Sequence, residues 1–143
     1  MNIMIKLFNY LILVAFLFLN CNRENDTRDD SDCENMMCTE VFVSVNVLIR
    51  HSNDNSPVTL TNFKVIRVSD NKDLTTNDND LTDNNGYYTI VNDNTSALIK
   101  KSTTEVEFQG FINSSMVVQK RFTVGMDCCH VSLISGEPIV SIL

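Results

Sequence analysis

The chain has no tryptophan, only four glycines, two prolines and two histidines in 143 residues. With aromatics at 8% and no Trp, a flat aromatic platform for sugars or bases is disfavoured. Cations are scarce as well: 11 Lys and Arg against 18 Asp and Glu leave a formal charge of −7. Nucleic-acid binding needs a basic face that neutralises phosphates, and this composition does not supply one. G-x-S-x-G, H-E-x-x-H and phosphate-cradling glycine loops are all missing. These gaps predict a chain that is not an enzyme and carries no cofactor, and a length of 143 residues leaves room for one folded unit.

One long apolar run is present, and it lies at the start. Lys6 precedes an apolar stretch over residues 10–19, and no acid occurs before Glu24. A positive start, an apolar core about 10 residues long and then a break is the layout of an export signal. A permanent membrane-spanning helix would want about 20 apolar residues. Phe18-Leu19-Asn20-Cys21 ends the run and resembles the lipobox of bacterial lipoproteins, with Phe18 and Asn20 in place of the commonest residues. The resemblance implies that Cys21 becomes the first mature residue and carries lipid, with each buried CH₂ adding about 0.8 kcal/mol of membrane affinity. Behind it come Glu24, Asp26, Asp29, Asp30, Asp32 and Glu34 with no apolar periodicity. Such a segment buries too little surface to offset chain entropy and is expected to be a solvated tether. Acids directly after the lipid cysteine are similar to surface-export signals of some Gram-negative lipoproteins. The expected organisation is a leader at 1–20, an acidic tether at 21–37 and a folded domain at 38–143. The expected location is the outer membrane, possible surface exposure included, with the lipid as the membrane contact and a protein or glycan as partner.

From residue 40 the pattern alternates with period 2. Val41, Val43, Val45, Val47 and Ile49 are apolar and β-branched, while Glu40, Ser44 and Asn46 fall between them. That spacing predicts a half-buried strand over 40–49. Residues 51–57 hold Asn, Asp, Ser and Pro, and so predict a turn that includes His51. Further strands are expected over 58–68, 87–91, 104–109, 116–124, 129–134 and 139–143, with at most a short one near Leu74. On the 116–124 strand, Lys120 interrupts an apolar face, which predicts a sheet edge or end. Residues 94–101 have room for one helical turn. About seven short strands with polar turns and no long helix predict an all-β fold, a single antiparallel β-sandwich.

Leu81-Thr82-Asp83-Asn84-Asn85-Gly86-Tyr87-Tyr88-Thr89-Ile90 resembles the T-D-x-x-G-Y-Y-x-I hairpin of carboxypeptidase-regulatory-like domains. The resemblance implies an Ig-like or transthyretin-like sandwich in which Asp83 and Gly86 shape a tight turn and alternate residues after it enter the core. Asn85-Gly86 supplies positive φ at low cost, which fits. Pro57-Val58-Thr59-Leu60 resembles that family's strand opening without its usual glycine and alanine. The chain over 38–135 is also similar to small bacterial lipoproteins of unknown activity, through Cys38-Thr39-Glu40-Val41-Phe42 and Val124-Gly125-Met126-Asp127-Cys128-Cys129-His130-Val131. Neither likeness implies catalytic residues.

Setting Cys21 aside leaves Cys33, Cys38, Cys128 and Cys129. Four thiols in an exported chain predict two disulfides. A Cys128–Cys129 bond would close a strained eight-membered ring, which favours two links from Cys33 and Cys38 to the adjacent pair, in either pairing. Consecutive strand residues point to opposite faces, so one link is expected to face the core and the other the surface. A zinc site from these cysteines and His130 lacks the C-x₂-C spacing, and His130 reads as a partly exposed strand residue. No EF-hand register fits the Asn/Asp-rich segment, because Leu81 falls where a carboxylate is required. An irregular calcium site from Asp78, Asp80 and Asp83 is the alternative, and would make the protein a secreted or periplasmic ligand-binding domain. Ser69-Asp70-Asn71 stands without S-x-x-K or K-T-G and carries no chemistry. Glu105 and Glu107 share a strand face and read as solvated carboxylates.

Overall fold

A computed structural model describes Cys33 and residues 35–76, 85–99 and 103–143. Cys21, most of the acidic tether and the calcium candidates Asp78, Asp80 and Asp83 lie outside the described residues. Eight strands follow one another: β1 (Ser44–His51), β2 (Asn62–Arg67), β3 (Lys72–Asp73), β4 (Tyr87–Asn92), β5 (Thr104–Ile112), β6 (Ser115–Met126), β7 (Val131–Ser135) and β8 (Ile139–Ile142). A 3-10 helix, Asp93–Leu98, follows β4. The strands form two sheets, ordered β4-β1-β8 and β3-β2-β5-β6-β7. This is the all-β sandwich that the alternation predicts, with one departure: β1 and β8 pair in parallel, while every other ladder is antiparallel.

The period-2 pattern explains the core. On β1, Val45, Val47 and Ile49 are buried, on β2 Phe63 and Val65, on β5 Val106 and Phe108, on β6 Val118, Phe122 and Val124. Phe63, Tyr88 and Phe108 meet at its centre with ring centroids 5.5–6.0 Å apart. At about 25 cal/mol per Å² of apolar surface, such fully enclosed rings dominate the burial energy.

The β1 ladder begins at Ser44 and not at residue 40. Its partner β4 ends at Asn92, opposite Ser44, and turns into the 3-10 helix, so among the described residues no strand pairs with 41–42. Val41 and Phe42 are accordingly 64% and 56% exposed. The strand expected over 58–68 is also shorter. Residues 57–61 cross between the sheets: Val58 N–H donates to the Ile49 carbonyl of the first, and Thr61 N–H to the Phe111 carbonyl of the second. Val58 and Leu60 are buried in that passage, which is why it reads as strand. The Tyr88 hydroxyl holds it in place, donating to the Val58 carbonyl at 2.8 Å and accepting from Leu60 N–H at 2.7 Å. His51 closes β1 instead of lying in the turn.

Asn85 and Gly86 have φ of +49° and +80°, and Tyr88 and Ile90 enter the core, but β4 pairs with β1 and does not close a hairpin with β3, which lies in the other sheet. A Cβ at Gly86 would stand 2.6 Å from the Ile49 carbonyl oxygen, so only glycine fits there. Asn113 and Ser114, at φ +48° and +67°, form the two-residue turn between β5 and β6. Lys120 pairs with Phe108 on the core side yet is exposed. β7 covers β6 only from Thr123 to Met126, so this half of β6 is a free edge.

Candidate functional site: the cysteine clasp and the Asp93–His130 junction

The arm that leads into β1, Cys33 and residues 35–43, crosses the β6–β7 turn and is bonded to it twice. Cys33 joins Cys128 and Cys38 joins Cys129, each with Cα atoms 5.4 Å apart. Two links from the early cysteines to the adjacent pair match the favoured pattern. The expectation of one bond inside and one outside does not hold. β7 begins at Val131, so Cys128 and Cys129 lie in a bend where strand alternation does not operate. Cys38 is exposed and the other three are half-buried.

Beside the clasp, Asp93 and His130 meet. His130 precedes β7 and is a turn residue, contrary to the strand reading. Asp127 accepts the backbone N–H groups of Cys129 and His130 through one carboxylate oxygen, at 2.7 and 2.8 Å, and this caps the bend. Asp93, the first residue of the 3-10 helix, receives Val43 N–H and the His130 ring on Oδ2 at 2.8 and 2.9 Å, and Val131 N–H on Oδ1 at 3.0 Å. One carboxylate therefore ties together the arm, the helix and the start of β7. Burial alone would raise its pKa. The His130 ring and the two backbone N–H donors outweigh burial and hold it below the ordinary carboxylate value. A carboxylate only accepts, so Nδ1 of His130 carries a proton. In the neutral ring Nε2 then accepts from the Thr39 hydroxyl, 3.1 Å away.

Hydroxyl, imidazole and carboxylate in this order resemble an activated nucleophile. Thr39 is exposed on the arm, however, and its groups serve as a strut between arm and body. A surface depression of about 160 Å³ lies elsewhere, lined by Arg67, Val68, Ser69, Thr103, Thr104 and Glu105. There the Arg67 guanidinium is committed to Asp70, whose carboxyl it lowers to about 2. Among the described residues no group of three or more His, Cys, Asp or Glu is placed to hold a metal ion.

Glu105 and Glu107 are not merely solvated. Arg121 bridges them at 3.3 and 3.4 Å, and Gln109 and Gln119 donate to Glu107. These hydrogen bonds, with Arg121, hold Glu107 below its ordinary value. The cross-strand partners that make this network are invisible without the β5–β6 register. The Asp93–His130 pair was equally hidden, since 37 residues separate the two and neither belongs to a motif. No helix among the described residues is long and apolar enough to cross a membrane. No family model, no curated protein and no solved structure matches the chain.

Proposed function

We propose that the protein is a non-enzymatic lipoprotein of the cell envelope, held in the outer membrane by lipid on Cys21, whose sandwich serves as an interaction or accessory module. The observation that carries this reading is the pair of disulfides. Such bonds persist in oxidising compartments and are rare in a reducing cytosol, which agrees with an export leader in front of them. The lipobox-like Phe18-Leu19-Asn20-Cys21 supplies the attachment point, and the acidic stretch that follows supplies a solvated spacer. The likeness of residues 81–90 to carboxypeptidase-regulatory-like domains supports an accessory role.

Metabolic labelling with a palmitate analogue tests the anchor. Label is expected on the parent chain and absent from Cys21→Ala, which should be released from membranes. Label retained by Cys21→Ala would place the lipid elsewhere and remove the reading. Proteolysis of the domain on intact cells then decides whether it faces outward.

A further inference from the structure

Edges of β-sheets present unpaired N–H and C=O groups, and proteins usually protect them with charge, proline, bulges or brevity. β3 is such a protected edge, two residues long and made of Lys72 and Asp73. The opposite edge of that sheet, β7, is bulged against β6 between Thr123 and Val124. β8, four residues long and preceded by Pro138, has neither a charged side chain nor a bulge along its length. It borders the three-stranded sheet, and Ile139, Val140, Ser141, Ile142 and Leu143 carry no charge.

The ladder shows which of its groups are open. Leu48 N–H donates to the Pro138 carbonyl and Ser52 N–H to the Ile142 carbonyl, both at 2.8 Å, with Leu48 opposite Ile139 and Arg50 opposite Ser141. In a parallel ladder this pattern turns the amides of 140 and 142 toward β1 and those of 139 and 141 away from it. No described residue bonds to the backbone of Ile139 or Ser141. Their side chains stand on the outer face, where Ile139 is 47% exposed and continues an apolar row with Leu48 and Tyr87.

We propose that β8 is a homotypic pairing edge, joining two copies of this chain antiparallel with Ser141 opposite Ser141. The segment Ile-Val-Ser-Ile-Leu is symmetric about its serine in apolar pattern. In that register Ser141 exchanges both backbone hydrogen bonds with its counterpart, and Ile139 of each copy lies beside Leu143 of the other. Charge permits this contact. Residues 131–143 hold one charged side chain, Glu137, outside the paired positions, and Arg50 on β1 donates to the Ser141 hydroxyl at 3.3 Å. Half of the 18 acids fall in residues 24–34 and 78–83, so the chain's negative excess is not concentrated at β8. A foreign strand bound to the same edge is the competing occupant.

The full chain with its leader, recovered in mild detergent, provides the test. Hydrogen-bonded antiparallel partners have Cα atoms about 5.5 Å apart, within disulfide reach. Ser141→Cys is therefore expected to give at least about tenfold more thiol-sensitive covalent dimer than Lys64→Cys, an exposed site away from the edge. Ser141→Pro removes an N–H that faces away from β1 and should abolish the dimer seen by light scattering while leaving the far-UV circular dichroism of the folded chain unchanged. Equal crosslinking at 141 and 64, a dimer that survives Ser141→Pro, or a band joining Ser141→Cys to a different polypeptide would each overturn the proposal.

Discussion

Tyr88 illustrates how much one hydroxyl decides at the residue scale. Its oxygen both donates to Val58 and accepts from Leu60 inside a fully buried site. Tyr88→Phe keeps the ring packing and strands the Leu60 N–H, and a buried unpaired donor costs about 2 kcal/mol. Chemical denaturation should show that loss with an unchanged m-value. Ser114 is the opposite case. It holds φ at +67°, a region costing a residue with a Cβ about 1 kcal/mol, so Ser114→Gly should raise the thermal midpoint by a corresponding amount. Asp93 gives the pH dependence. Its folded pKa lies below the ordinary value of about 3.9, so the unfolded chain takes up the proton first as pH falls. The stability it contributes is complete above that ordinary value and is lost as pH drops through the folded one. Asp93→Asn should cost about 1.5–3 kcal/mol near neutrality, from weakened charge-assisted bonds. The gap between parent and variant should narrow below pH 4, and a gap constant down to pH 2 would show that the carboxylate charge is not what matters.

Among the elements, the clasp and the β5–β6 hairpin were legible to different degrees. The strands expected over 104–109 and 116–124 correspond to the two arms of the hairpin, whose contacts are local. The cysteine content predicted two bonds but not their partners, since Cys128 and Cys129 are equidistant choices until the bend is known. The two bonds also act as a unit. Either one alone closes a loop of more than 90 residues, worth about 4.6 kcal/mol in the chain-entropy treatment. Once one has formed, the other closes a ring of only about six residues and adds about 2 kcal/mol. Removing Cys38–Cys129 by a paired Cys→Ala change should thus cost about 2 kcal/mol, and removing both about 7. Equal, additive losses in denaturant titrations would contradict this account.

For the molecule as a whole, the arm, the 3-10 helix and the β6–β7 turn converge at one end of the sandwich through Cys33–Cys128, Cys38–Cys129 and Asp93. A pull on the arm is therefore delivered to the β6–β7 turn before it reaches β1. Reducing both bonds should make residues 35–42 the first to be cut by protease, ahead of β1 to β8, which a time course of limited proteolysis with and without a thiol reports. The amino-acid order alone determined where most strands lie, though not where they end, because burying every second side chain imposes a period that local residues satisfy by themselves. It likewise carried the need for two disulfides, a matter of cysteine count. Only tertiary structure decided that β8 lies parallel to β1, that residues 57–61 pass from one sheet to the other, and that Asp93 meets His130. Each of these depends on which distant segment lies alongside, and residues separated by 30 to 90 positions leave no local period from which that neighbour could be read.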